Sequence, residues 1–280
     1  MDTLDYLVIG TITADLSPAG PVPGGTVTYS GRTAAALGLQ TAVLTTAGPE
    51  VNMAAWLPGL SVTTVPAAET TTFTNAYTAT GRIQTIHKLA SPLRVADLPA
   101  DWSEPAIVHL GPLVREVDPA FVQAFPNSLV GMTPQGWMRA WDEHGVVSAC
   151  DWAEAEATLP HADVVILSTE DLLDDQMLVR FRALSRLLIL TRSAEGCLLF
   201  SGAEEYAVPA PAVTECNPTG AGDIFAAAFL TYYWRTGGNL LEAADYANQV
   251  AAQTVTVESM EEKMALVTAT GHQIAAHQHE

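Results

Sequence analysis

From Asn217 to Asp223 the chain reads Asn-Pro-Thr-Gly-Ala-Gly-Asp, and an Ala- and Phe-rich stretch follows at once. Small residues and one carboxylate therefore meet where a helix is expected to begin. Thr219 can cap that helix, and the glycines remove side-chain bulk so that backbone N–H groups can face an anion. The helix dipole favours negative charge at the same place. Asp223 is the odd residue, because a carboxylate beside a phosphate cradle repels the ligand. It makes chemical sense if it orients an attacking hydroxyl and takes its proton. The expected chemistry is phosphoryl transfer, with Asp223 as base and the backbone of Gly220, Ala221 and Gly222 stabilising charge on the transferred group. By residue type alone, the same turn could instead serve only to bring a helix close to a strand, with Asp223 as a first-turn acid.

Composition narrows the partners. The 280 residues include 49% hydrophobic and only 15% charged side chains, which predicts a compact α/β globule with a sizeable core. A formal net charge of −19 argues against nucleic acid and anionic membranes as partners. The apolar run near the N-terminus is too short for a signal or membrane helix, so a cytoplasmic location is expected. Cys150, Cys197 and Cys216 are scattered without paired spacing and are expected to be reduced. Lysine occurs only at Lys88 and Lys263, and neither follows a Gly-x-x-x-x-Gly run. A Walker A loop is thereby excluded, so a bound nucleotide must be neutralised by Mg²⁺, arginine and helix N-termini. No Gly-x-Gly-x-x-Gly turn follows the first strand, which argues against a dinucleotide-dependent dehydrogenase.

The elements that must position the turn follow from hydrophobic patterning. Apolar runs at 6–12, 41–46, 107–110, 129–132, 146–149, 164–167 and 187–191 read as buried strands. Helices are expected at 31–37, 119–124, 137–143 and, longest, 221–235. The alternation predicts a three-layer α/β/α domain spanning 1–280 around a mostly parallel sheet. Thr-, Tyr- and Ile-rich segments at 70–79 and 82–89 flank Thr80-Gly81 and predict a hairpin outside the main sheet, a candidate lid. A second hairpin is expected over 197–208.

The segment from Asn217 to Leu230 resembles the C-terminal signature of the ribokinase-like (PfkB) carbohydrate kinases. The order of elements resembles that family over nearly the whole chain. The resemblance implies a small β lid and ATP with Mg²⁺ as cofactors. It implies a phosphotransferase acting on an alcohol group of a small sugar or polyol. Gly24-Gly25 matches the family's early glycine pair, and Asp15 the acid that binds substrate hydroxyls. One carboxylate accepting from two neighbouring hydroxyls suits that role. Tyr29 stands where many sugar kinases have Asn. Ser168, Glu170 and Asp171 align with the family's Asn-x-x-Glu motif, with Asp171, or Glu170 after a one-residue shift, expected to reach the metal through water. Thr191, Arg192, Ser193 and Gly196 resemble the Thr-x-Gly-x-x-Gly turn that lies near the nucleotide. Thr219 and Asn248 complete the implied nucleotide site.

The segments 134–139 and 256–258 resemble the inositol-kinase branch, which favours a polyol acceptor. Phe73, Asn75 and Tyr77 alternate on one strand face and are candidates to close on a ring, with Arg115 expected nearby. A nucleoside kinase of the same family, or a non-catalytic sugar or nucleotide binder that kept the fold, are the alternatives, and a homodimer through the lid is compatible with the resemblance.

Overall fold

The computed structural model describes residues 4–78, 81–102 and 104–277, with the side chains of 77, 78, 81, 82 and 272–277 outside the description. The first half contains β1 (Tyr6–Ile9), β2 (Thr13–Ser17), β3 (Gly20–Gly24), α1 (Thr26–Ala36), β4 (Thr41–Ala47), α2 (Met53–Trp56), β5 (Ser61–Pro66), β6 (Thr71–Thr78), β7 (Gly81–Lys88), β8 (Ile107–Leu110) and β9 (Leu129–Met132). After it come β10 (Arg139–Trp141), β11 (Val147–Ala149), α3 (Ala155–Thr158), β12 (Val164–Ser168), α4 (Asp175–Leu184), β13 (Leu187–Thr191), β14 (Cys197–Ser201), β15 (Glu204–Val208), α5 (Ala221–Arg235), α6 (Leu240–Thr254) and α7 (Met260–His277).

Nine strands form the central sheet in the order β5-β4-β1-β8-β9-β12-β13-β14-β15. From β5 to β13 every pairing is parallel, and β14 and β15 add an antiparallel edge. Strand alternation sends side chains to two cores. Tyr6, Val8, Val164, Ile166 and Ile189 face the layer containing α1, α5, α6 and α7, whereas Leu7, Ile9, Val165, Leu167 and Leu190 face Phe121, Trp152 and Phe181. Each fully buried aliphatic chain contributes roughly 1.5–3 kcal/mol, so a one-residue slip in any of these strands would exchange the faces and is strongly disfavoured.

Helix α5 is buried along its middle, with Ile224 to Thr231 all inside. Its run of alanines lets it lie close to the sheet and to α6, while Phe225, Phe229 and Tyr233 stack at four-residue intervals along one side. That packing fixes the position of its N-terminus, which carries the Gly220–Asp223 turn.

The lid is a separate four-stranded sheet in the order β3-β2-β6-β7. The hairpin expected from sequence is β6–β7, but it is joined by β2 and β3, which the apolar patterning did not mark, and the strand expected over 6–12 is shorter. Strand β1 stops at Ile9 because Gly10 and Thr11 turn the chain out of the sheet, with Thr45 Oγ1 accepting from the Ile12 N–H at 2.7 Å. Three further expectations are corrected. The span 137–143 is not a helix, because Pro134–Met138 forms a 3-10 turn that runs straight into β10. The run at 146–149 holds β11, which pairs with β10 in a two-stranded ribbon outside the central sheet, and Val146 bridges to Thr85 of β7. Trp137 spends its helix-like spacing on stacking against Trp152, at 4.8 Å between centroids. The span 119–124 is likewise a 3-10 turn, at Pro119–Gln123.

Candidate active site

An open cavity of about 430 Å³ lies between the lid, the start of α1, the start of α5 and the Pro134–Met138 turn. Its walls bring together Asp15 and Asp223, residues 208 positions apart in sequence (223 minus 15). Thr219, Gly220, Gly25, Tyr29 and Asn75 also line it, as the sequence led one to expect. Tyr77 lies on the same strand as Asn75, and its side chain is outside the described residues.

Each wall has a local cause. Asp15 projects from β2, where the Thr13 hydroxyl donates to Oδ1 at 2.9 Å and Asn75 Nδ2 donates to Oδ2 at 3.3 Å. Gly24 sits against this carboxylate, since a Cβ there would stand 2.7 Å from Asp15 Oδ1 and 2.5 Å from Thr13 Oγ1. The early glycine pair therefore makes room for the acid, and Gly25 then caps α1. Asn75 is itself held by Gln84, whose Nε2 donates to Asn75 Oδ1 at 3.0 Å. Gln84 Oε1 is buried against the cavity without a protein partner. A buried acceptor in that state calls for a donor from a ligand.

Across the cavity, Gly220 adopts φ +79, and a Cβ would stand 2.1 Å from the Tyr29 ring. Tyr29 thus packs under the turn of α5 where an asparagine was the family expectation. In the turn, Asn217 Oδ1 accepts from the Thr219 N–H at 3.0 Å, and the Ala221 N–H donates to Pro218 O at 3.0 Å. Ala221 therefore has its N–H engaged within the turn, which corrects its expected role as a donor. Position 222 faces open space. The Ser30 hydroxyl donates to Asp223 O at 3.0 Å, tying α1 to the first turn of α5.

The floor is polar and buried. Tyr6 Oη is 2.8 Å from His109 Nδ1, and His109 Nε2 is 3.1 Å from Thr133 Oγ1, next to the Pro134 turn. Burial pushes His109 down to about 3, so the imidazole is neutral at working pH. Burial, and then the negative charge of Asp223, raise Tyr6 well above the usual phenol range, so its hydroxyl keeps its proton. Glu116 accepts backbone N–H groups of Thr11, Leu113 and Val114 at 2.8 to 3.2 Å, and so joins the turns after β1 and β8 beneath the cavity. Burial raises its pKa and those backbone bonds oppose the rise.

Several expected residues lie elsewhere. Arg115 is exposed and donates to Cys150 Sγ at 2.8 Å, and the arginine that lines the cavity is the buried Arg139. Asp171 is spent locally, with Oδ2 accepting from the Ser168 N–H at 2.9 Å and Oδ1 from Gln135 Nε2 at 2.8 Å. Ser168 and Asp171 form a reciprocal cap on a short turn, and Glu170 is exposed beside it. No cluster of three His, Cys, Asp or Glu side chains suited to a metal occurs among the described residues. These groups do not fit a direct magnesium site, and Asp171 in particular has both oxygens engaged. The turn after β13 closes on itself. Arg192 N–H donates to Gly196 O at 2.7 Å, Gly196 N–H to Ser193 O at 3.1 Å, and the Arg192 guanidinium pairs with Glu195 at 3.1 Å. Thr191 Oγ1 donates to Leu167 O at 3.3 Å. Asn248 is buried in α6 and donates to Val208 O at 3.1 Å and Pro209 O at 3.4 Å, where it anchors the chain leaving β15.

Sequence reasoning missed Thr13, Gln84, Gln135 and Arg139. Gln84 carried a signal, since it sits opposite Asn75 in a hairpin whose strands were recognised. Arg139 was hidden by the assignment of a helix to 137–143, where the structure has the end of a turn and a strand, and Gln135 lies in that turn just before the assigned helix.

With fold and cavity established, the comparisons with known proteins agree. Residues 140–265 match the family model described as pfkB family carbohydrate kinase. A pyrophosphate-dependent kinase in the ribokinase family superposes with a TM-score of 0.79 at 21% identity, covering 93% of this chain and 99% of that one. A pyrophosphate-dependent ribokinase-family kinase complexed with a pyrophosphate analog and myo-inositol gives 0.74 at 21%, covering 88% and 94%. Ribokinase from Thermotoga maritima gives 0.71 at 19%, covering 95% and 99%. No curated protein matches by sequence. Residues 140–265 thus match the pfkB family model, and the chain has a ribokinase-like fold.

Proposed function

We propose that this chain is a small-molecule kinase that moves the terminal phosphoryl group of a polyphosphate donor to a hydroxyl of a sugar or polyol. The observation that carries the reading is the convergence of Asp15, Asp223 and the Thr219-Gly220 turn on one cavity. The acceptor hydroxyl lies between the carboxylates. Asp15 accepts hydrogen bonds from neighbouring hydroxyls, while Asp223 orients the reacting one and takes its proton as the bond to phosphorus forms. The Gly220 and Gly222 N–H groups, at a helix N-terminus, stabilise charge on the transferred phosphoryl oxygens.

A polyol acceptor is favoured by the polar inner face of the lid. Gln84, Asn75 and Asp15 form one hydrogen-bonded row, and the unpartnered Gln84 Oε1 suits a hydroxyl donor. The structurally similar kinase complexed with myo-inositol supports the same class. ATP with Mg²⁺ is the expected donor, and the pyrophosphate-dependent neighbours make pyrophosphate the necessary comparison. The metal travels with the donor phosphates and water, consistent with the absence of a direct ligand cluster among the described residues. The donor extends from the α5 turn across the C-terminal ends of β12 and β13, towards Ser168 and Thr191. Exposed Leu16 and Ile83 lie on the lid face opposite Asp15 and Gln84, which supports a homodimer through the lid. No helix among the described residues is long and apolar enough to cross a membrane.

The test mixes purified protein with Mg²⁺ and either ATP or pyrophosphate, and with inositols, pentoses, hexoses and nucleosides. Release of ADP or phosphate above the no-acceptor rate is measured. Stimulation by a polyol or sugar supports the assignment. Binding of donor with no acceptor-dependent release from any of them would refute it.

A further inference from the structure

Lys263 is one of two lysines in the chain and is 1% exposed. It stands in the first turn of α7, and its ammonium donates to Asn217 O at 2.6 Å and Thr219 O at 3.0 Å. A buried ammonium beside the positive end of α5 is doubly unfavourable, through desolvation and through the helix dipole. Burial lowers its pKa, opposed by the negative surroundings of Glu258, Cys216 and Glu215. Such a charge is retained at a cost, and its contacts indicate what it does there.

The two carbonyls are unequal. The carbonyl of Asn217 belongs to a peptide whose nitrogen is Pro218 and which has no N–H. The carbonyl of Thr219 belongs to the peptide whose N–H is that of Gly220. All described peptides are trans, so that N–H points away from the carbonyl and hence away from Lys263. A cation on the carbonyl both fixes the peptide plane and polarises the N–H on its far side. We propose that Lys263 is a positioning residue for phosphoryl transfer: from behind the loop it orients and polarises the Gly220 N–H and adds positive potential to the anion site. The lysine that a Walker loop places in front of the phosphates is here set behind the backbone. This inference rests on the phosphoryl-transfer reading of the same turn.

The test is calorimetric binding of Mg²⁺-pyrophosphate and of a non-hydrolysable ATP analogue to wild type, Lys263→Met and Lys263→Gln, with kcat and acceptor KM measured beside it. The variants remove the charge, and Gln keeps a hydrogen-bond donor should Met not fold. Expected is a loss of phosphate-probe affinity and of kcat by roughly tenfold or more with acceptor KM little changed, and partial recovery of both on adding methylammonium to Lys263→Met. The amide resonance of Gly220 should also move in the folded variants. Wild type that binds a probe while folded Lys263→Gln binds it equally well would overturn the role of Lys263 alone. Wild type that binds neither probe would overturn the phosphoryl-transfer reading, and this inference with it.

Discussion

Two turns in this molecule follow or precede regular elements at positions expected to meet a phosphate donor, and they differ in what holds them. The turn at 191–196 bonds to itself: Arg192, Glu195 and Gly196 N–H groups all end on carbonyls of the same turn, and Arg192 is held by Glu195. The turn at 217–223 also spends the Thr219 and Ala221 N–H groups on itself, but it is braced from outside by Lys263, Val255 and Ser30, and Gly220 lines a cavity. A position at an element's end is therefore an insufficient criterion for an anion site. What matters is whether neighbouring elements satisfy the carbonyls, so that N–H groups remain for a ligand.

The sharpest way to break this comparison is Asp223→Asn, which keeps the shape of the α5 turn. Turnover should fall about 10³-fold with donor affinity largely intact, by steady-state kinetics and calorimetry. Turnover equal to wild type would remove Asp223 as the base.

Paired alanine substitutions compare the turns directly. Gly220 has φ +79 and Gly196 φ +89, and a Cβ on each would lie 2.1 Å from Tyr29 and from Val208 O respectively. Both Gly220→Ala and Gly196→Ala should lose roughly 1–3 kcal/mol in denaturant unfolding. Only Gly220→Ala should also lower kcat in the folded fraction, and an equal loss in Gly196→Ala would erase the distinction.

The buried His109 network, which contacts neither turn, gives a control by pH. The folded His109 pKa is about 3 against an ordinary 6.5, so below 6.5 the unfolded chain gains a proton that the folded chain does not. Stability is therefore lost as pH falls from 6.5 towards 3, at about 1.4 kcal/mol per pH unit well below the upper limit. Glu116, with a raised folded pKa, works in the opposite sense and loses stability as pH rises. Because wild type and His109→Gln share Glu116, the difference in their acid slopes isolates the histidine. Identical slopes in urea unfolding between pH 6 and 4.5 would refute the neutral buried imidazole.

The smallest effect belongs to Arg192→Ala. An exposed ion pair contributes about 0–1 kcal/mol, and the guanidinium is committed to Glu195, so donor KM should change less than about threefold. A larger rise would show that the 191–196 turn opens to meet the donor.

Much of this was legible in the chain. The run 217–235 revealed its turn and helix because the signals are local, glycines without side chains and then continuous apolar periodicity, although the N-cap is Gly220 and not the expected Thr219. Strands 107–110, 129–132 and 187–191 were read to the residue, since parallel strands buried on both faces are apolar throughout. Segment 137–143 was misread because Trp137 and Trp141 are spaced as on a helix, whereas the Pro134–Met138 turn leads into β10 and Trp137 stacks on Trp152.

The sequence by itself determined the α/β architecture, the α5 turn with its acid, and the exclusion of a Walker loop, since each depends on residues within a few positions or on composition. Only the tertiary structure decided which groups remained for a ligand. It engaged Asn248 with Val208, Asp171 with Gln135 and Arg192 with Glu195, placed Arg139 and Gln84 in the cavity, and set Lys263 behind Thr219. A polar group is available to a ligand only if no protein partner reaches it first, and most of those partners come from distant parts of the chain.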